Sequence, residues 1–344
     1  MSADRQNDAD ACMWDELISL LSMKDATTRT VMLGVGSLGV ACGIVGCLTV
    51  LRRRALMADA VAHAALPGVC VSYLLLGERE LGALLLGAMI FGLIASGLIA
   101  AMRGRTTVKD DAIIAVVIGV SFAVGIVLLK SIQNTPGGNK SGLDGFIFGK
   151  AASMARAEAL TVAAVSAALL VLVFSQFKVI RLVTFDPAFA KALGLRVRLI
   201  DLLIISMVCV CTVVGLPAVG ALMIVALMII PAVTARSWTD RLSTMLVLAG
   251  AVGGIGAVGG TALSASVRTP DGSSLPVGPT IVLTIAAVCI VSLIVSPRRG
   301  VLAGWLRQRR ARREMMAERV SERARAGPLA VTTAQETNDP GARP

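Results

Sequence analysis

Apolar runs of about twenty residues recur along the chain, each closed by a short polar or charged break. A helix rises ~1.5 Å per residue, so ~20 apolar residues cross the ~30 Å hydrocarbon core of a bilayer. Setting runs against breaks predicts nine spans, at about 30–51, 55–76, 81–102, 112–132, 158–177, 199–216, 217–235, 242–267 and 278–296. The run 12–23 is too short to cross and carries Asp15 and Glu16, so it predicts an amphipathic segment lying at the surface.

Nine spans put the two termini on opposite sides, and the positive-inside rule chooses between the orientations. With the N-terminus outside, 24 of the 33 Lys and Arg fall inside and nine outside. The inner set comprises Arg52–Arg54, Arg103, Arg105, Lys109, the 178–198 loop, Arg236, Arg241 and the arginine-rich tail. The acidic N-terminus, the Glu78–Glu80 turn and the 268–278 loop fall outside.

Two stretches are organised without spanning. Residues 133–157 form a polar, Gly-rich outer loop followed by the short apolar piece FIFGKAASM. In the inner loop 178–198, Asp186 is an N-cap, Pro187 a first helical residue, and Gly194 after Leu193 a stop, so a short capped helix is predicted there. The tail from about 297 predicts a basic amphipathic helix near the membrane and disorder after about 326.

Composition agrees with a polytopic membrane protein. Of the 344 residues 56% are hydrophobic and 16% charged, against about 25% charged in a typical soluble domain, and the mean hydropathy is +0.79. These values exclude a disordered chain, a disulfide-stapled secreted module and a cytosolic enzyme. Net charge +11 would suggest nucleic acid in a soluble protein, but here the charges sit between apolar runs and no nucleic-acid partner is expected. Six of the seven cysteines (Cys42, Cys47, Cys70, Cys209, Cys211, Cys289) lie inside apolar segments and read as small core residues. The first thirty residues are mainly acidic, with no positive stretch ahead of an apolar one, so no cleavable signal peptide is expected.

The available chemistry is narrow. One histidine and one tyrosine rule out a histidine relay, and no phosphate-binding P-loop is present: GGNKS at 137–141 has Asn139 where the second glycine belongs. Nucleotide chemistry must therefore come from another chain. Ionisable residues inside a span are functional candidates by default, and the second span holds Asp59 and His63 four residues apart, on one helix face. A carboxylate with an imidazole suits Zn²⁺, Mn²⁺ or Fe²⁺. The structural alternative pairs Asp59 with Arg54 and makes His63 a donor to it. Two protein ligands are too few for a tight site, which fits transit better than storage. Pro67 and Gly68, one turn on, predict a kinked or loosened helix beside the pair. Cys209 and Cys211 fall on different faces and read as core, Met223 and Met228 as gap-fillers, and Asp201 as a partner of Arg198. Gly250, Gly254, Gly256 and Gly260 form two small-xxx-small pairs that predict close helix packing.

From about 30 to 296 the sequence resembles the membrane permease subunits of zinc/manganese/iron ABC importers, the ABC-3 family. The resemblance is carried by LRRRALMADAVAHAALPGV (51–69), TTVKDDAIIAVVIGVSFAVGIVLL (106–129), GLDGFIFGK (142–150), VTFDPAFAKALGLRVRLID (183–201), PAVGALMIVALMIIPAVTAR (217–236) and LPVGPTIVL (275–283). It implies an all-α helical permease paired with a second copy or a related permease, two cytoplasmic ABC ATPase subunits, and an extracytoplasmic metal-binding lipoprotein. It also implies that Asp59 and His63 line the metal path, and that 184–195 is the ATPase-coupling region, with Phe185, Asp186, Pro187, Phe189, Ala190, Leu193 and Gly194 as its residues. The acidic extension 1–29 and the basic tail 297–344 depart from the family pattern. So do Ala58 and Ala62, where the family often has GDALSHA against ADAVAHA here.

The expectation is a multi-pass permease domain over 30–296 in the bacterial cytoplasmic (inner) membrane, surrounded by lipid, passing a divalent metal ion by alternating access and holding no stable cofactor. A permease for iron chelates or cobalamin would need a wide, ligand-poor cavity. A self-sufficient secondary transporter would need further intramembrane carboxylates for ion coupling, and a membrane enzyme a richer acid/base or metal constellation than one histidine allows.

Overall fold

The computed structural model describes residues 26–77, 80–103, 105, 107–134, 149, 154–267, 275–296, 300, 312, 314–318 and 321. The surface segment 12–23, GGNKS, nearly all of GLDGFIFGK and most of the tail lie outside these residues. Among the described residues as far as 295, eleven helices follow one another: α1 (Ala26–Leu51), α2 (Met57–Leu76), α3 (Leu81–Met102), α4 (Asp110–Gln133), α5 (Arg156–Ser175), α6 (Phe177–Phe185), α7 (Pro187–Ala192), α8 (Val197–Val219), α9 (Ala221–Trp238), α10 (Leu242–Ser266) and α11 (Val277–Val295). Among the described residues nine of them, all except α6 and α7, are long and apolar enough to cross a membrane. Even α9, at 18 residues, extends about 27 Å at the helical rise.

The predicted spans sit on these helices to within a few residues at most ends. The largest difference lies between the sixth and seventh, where a break was expected at Pro217. Instead α8 continues through Pro217 to Val219, and the chain turns at Gly220 with φ +94°. Proline in the last helical turn removes one N–H without forcing the chain to reverse. The reversal needs a backbone conformation that L side chains avoid, and glycine provides it.

With no hydrophobic driving force between helices in lipid, close packing depends on small residues. α1 is the most enclosed span and packs most extensively on α10. A Cβ on Gly39 would run into the Gly253 carbonyl of α10, a Cβ on Gly43 into the Ala249 carbonyl, and one on Gly46 into the Met228 carbonyl of α9. Of the four glycines singled out on this span, Gly250 and Gly254 meet Ile44 and Val40 of α1, while Gly256 and Gly260 meet Ile285 and Ile281 of α11. α10 is therefore small-faced on two sides, with Gly253 at its tightest crossing.

Pro67 does not break α2, which runs unbroken to Leu76, and Gly68 backs onto the Gly87 carbonyl of α3. The cysteines are core residues, as expected: Cys211 faces Cys42 of α1 with the sulfurs 3.2 Å apart, and Cys209 faces Ser96 of α3 at 3.6 Å.

The connections alternate between the two ends of the bundle. Asp201 at the start of α8 meets Arg52 and Arg54 between α1 and α2. Residues of α6 and Asp186, the N-cap of α7, share an open hollow with Asp240–Ser243. At the opposite end Leu81 and Leu85 of α3 lie with Met154, Glu158 and Pro217. The end that gathers Arg52–Arg54, Arg103, Arg105, Lys109, Arg181, Arg196, Arg198, Arg236 and Arg241 is the basic one.

Candidate functional site

The turn from α1 into α2 sets the site. Arg53 takes φ +55°, and the Arg54 carbonyl accepts the N–H of Met57, the first residue of α2 (3.1 Å). Asp59 then falls in the first turn of α2, and His63 one turn further on. His63 Nε2 lies 3.4 Å from Asp59 Oδ1.

From Met57 to Cys70 every residue of α2 is buried except these two. The side chain of Asp59 is 29% exposed and that of His63 19%. A carboxylate turned toward lipid is costly, so a stretch enclosed from Met57 to Cys70 except at its Asp–His stripe presents that stripe to a path or to another protein. The His63 ring stands edge-on to Phe122 of α4, centroids 5.1 Å apart at 80°, which limits the imidazole's rotation. Pro67 has no N–H to give the His63 carbonyl four residues before it. No cluster of three or more His, Cys, Asp or Glu that could hold a metal occurs among the described residues. The structure places Asp59 and His63 side by side, as the helical spacing predicts.

A second assembly sits at the basic end. Arg52, its side chain 9% exposed, pairs with Asp201 at the start of α8, and its Nε donates to Thr184 Oγ1 of α6 at 3.3 Å. Arg54 lies 3.6 Å from the other Asp201 oxygen, and Arg103 pairs with Asp110 at 2.7 Å. Burial lowers the Arg54 pKa; Asp201 and Asp110 act against this, while Arg103 and Arg52 add to it. These pairings revise two sequence expectations. Asp201 is held by arginines from the α1–α2 turn where Arg198 was expected, and Asp59 pairs with His63 where Arg54 was the alternative. The Arg52–Arg54 run had read only as a marker of orientation; a local reading of sequence carries no sign of its partner some 150 residues away. Phe122 was missed for the same reason.

The capped helix predicted in the 178–198 loop is α7. Asp186 Oδ1 accepts the Phe189 N–H at 2.9 Å, Pro187 opens the helix, and Gly194 follows with φ +79°. Ahead of it α6 forms a further helix that the sequence did not announce, with Ile180 and Val183 turned inward. Ala190 is fully buried, while Phe185, Phe189 and Leu193 are all more than half exposed. They form an apolar ridge beside an open hollow of about 550 Å³ lined by Arg181, Leu182, Phe185, Asp186 and Asp240–Ser243.

Residues 24–296 match the ABC 3 transport family. The chain is 40% identical over 300 residues to the manganese transport system membrane protein MntC of Bacillus subtilis (strain 168), covering 87% of this chain and 68% of that one. It is 37% identical over 286 residues to the zinc transport system membrane protein TroC of Treponema pallidum (strain Nichols), covering 83% of this chain and 94% of that one. The fold is similar to that of a chain of PsaBC from Streptococcus pneumoniae in complex with Fab, with TM-score 0.71 and 29% identity over 83% of this chain and 97% of that one. Nine helices among the described residues that are long and apolar enough to cross a membrane, and a family match over most of the sequence, lead to one conclusion: the chain belongs to the ABC 3 transport family, as the multi-pass membrane permease subunit of a bacterial ABC importer whose ATPase is a separate chain.

Proposed function

We propose that this permease carries a divalent transition metal ion, Mn²⁺ or Zn²⁺ first among the candidates and Fe²⁺ as a third, along a path on which Asp59 and His63 make a transient ligand step. The observation that carries this is the partly exposed Asp–His pair on the otherwise buried stretch Met57–Cys70 of α2. A carboxylate offers a hard oxygen and imidazole a borderline nitrogen, a pairing that suits these ions. The names of the manganese and zinc relatives point to the same substrate class. A metal chelate or cobalamin would leave such a tight ligand pair without a role.

One chain supplies two donors where a four-coordinate ion needs four. A second copy, or a related permease, facing the first across the open Asp–His stripe would complete the set. ATP binding to ATPase subunits seated on the α6–α7 ridge would rock the helices between outward- and inward-open arrangements, and an extracytoplasmic metal-binding lipoprotein would deliver the ion.

This mechanism needs the basic end in the cytoplasm. Arg79→Cys should react with a membrane-impermeant maleimide added to intact cells, and Val108→Cys only after the cells are opened, in a Cys12→Ser background. The reverse pattern would invert the topology.

The direct test of function is uptake of Mn²⁺, Zn²⁺ and Fe²⁺ by cells expressing the permease with its ATPase and binding protein. One of the ions should accumulate in an ATP-dependent way above cells lacking the permease. Accumulation of none would end the metal-importer reading.

A further inference from the structure

We infer that Arg52 is the positioning residue through which movement of the α6–α7 ridge reaches the Asp59–His63 helix, an inference that rests on the proposed function. Its side chain joins three elements at one buried point. Nε donates to Thr184 of α6, the residue before Phe185. The guanidinium pairs with Asp201 near the start of α8. The main chain runs within two residues to Arg54, which shares Asp201 and whose carbonyl accepts the N–H that opens α2. Asp59 follows two residues after Met57. A residue adjoining the ridge, the head of α8 and the turn that leads into the ion-binding helix therefore meet at Arg52.

The chemistry of this junction is unlike that of a static staple. Apolar side chains anchor neighbouring helices at lower desolvation cost than buried ions do, and most helix contacts of the bundle are of that kind. Here Arg52 Nη2 is buried without a hydrogen-bond partner among the described residues, as is Arg103 Nε nearby. Buried donors left unmet are uncommon and call for a reason. An arginine with a spare donor can exchange acceptors while keeping its charge paired, so the junction has more than one way to be satisfied. Coupling between sites is carried by such discrete alternatives within a packed network.

The test uses the whole transporter, with the permease co-expressed with its ATPase, purified, reconstituted into vesicles and supplied with its metal-binding protein. Mn²⁺ uptake and phosphate release are measured on the same vesicles, with Zn²⁺ in parallel. Thr184→Val removes only the link to α6 and preserves side-chain volume; Arg52→Ala removes the junction. Both variants should co-purify with the ATPase and hydrolyse ATP, while the ions moved per ATP fall by about three- to thirty-fold. Arg52→Lys should recover part of that ratio. The exchange Arg52→Asp with Asp201→Arg should recover more than either single change. A wild-type ratio in every variant, with wild type transporting, would overturn the role of Arg52 alone. So would Thr184→Val losing the ATPase and uptake together, which would mark the junction as purely structural. Wild-type vesicles that move neither ion under ATP would overturn the importer reading and this inference with it.

Discussion

Replacing Asp59 by Asn, or His63 by Ala, should reduce metal uptake at least about 10- to 100-fold while the permease still reaches the membrane and co-purifies with its ATPase. Even residues that merely orient a metal ligand cost about 10- to 100-fold when changed, so loss of a ligand sets that range as a floor. Asp59→Asn keeps the shape and removes the charge, which separates ligation from packing. The two residues contact each other, so their effects should not add: the double variant should be hardly worse than the more damaging single one. Phe122→Leu offers a graded control, because it keeps an apolar neighbour but releases the edge contact on the imidazole. A several-fold fall in uptake is expected there. Isotope uptake in cells, normalised to membrane protein level, reads all four variants. Normal transport by both Asp59→Asn and His63→Ala would make the pair a structural hydrogen bond and remove the ligand step from the mechanism.

What could be read from sequence follows the range of the interactions involved. The spans were legible because bilayer thickness imposes a length and hydropathy a composition, both local properties of the chain. The Asp59–His63 pair was legible because helical spacing fixes which residues share a face. The α7 cap was legible because an N-cap, a proline and a glycine act within a few residues of one another. What stayed hidden depends on contacts between distant segments. Arg198 is Asp201's neighbour in sequence, but it is the turn ending α1 that reaches Asp201 in space. The tightest crossing of α10 uses Gly39 and Gly253, and only the packed pair shows that Gly253 outranks the glycines beside it. The break at Gly220 was displaced to Pro217 because proline is the stronger local signal, although the reversal itself needs positive φ.

The second large effect is expected at the basic end, where Phe185→Asp or Phe189→Asp should each weaken ATPase binding by at least about 30-fold, and the two together should abolish co-purification. An exposed aromatic ridge has two ways to be covered: by lipid at the interface, or by a protein. The hollow beside it carries Asp186, Asp240, Arg181 and Arg241, a mixed-charge lining that suits a polar protein rim around an apolar centre and would be poor company for acyl chains. Aromatic anchors in such interfaces contribute about 2 kcal/mol or more each when truncated, which is the origin of the 30-fold figure; a buried unpaired carboxylate adds desolvation to that loss. Asp186→Ala provides the contrast. It removes the cap on the Phe189 N–H and costs about 1 kcal/mol of local helix stability, leaving the ridge in place, so docking should weaken only a few-fold. Pull-down of the ATPase from detergent extracts, followed by titration with purified ATPase, orders the variants. Equal docking by wild type and the double Asp variant would assign the ridge to lipid and move the ATPase contact elsewhere on the basic face.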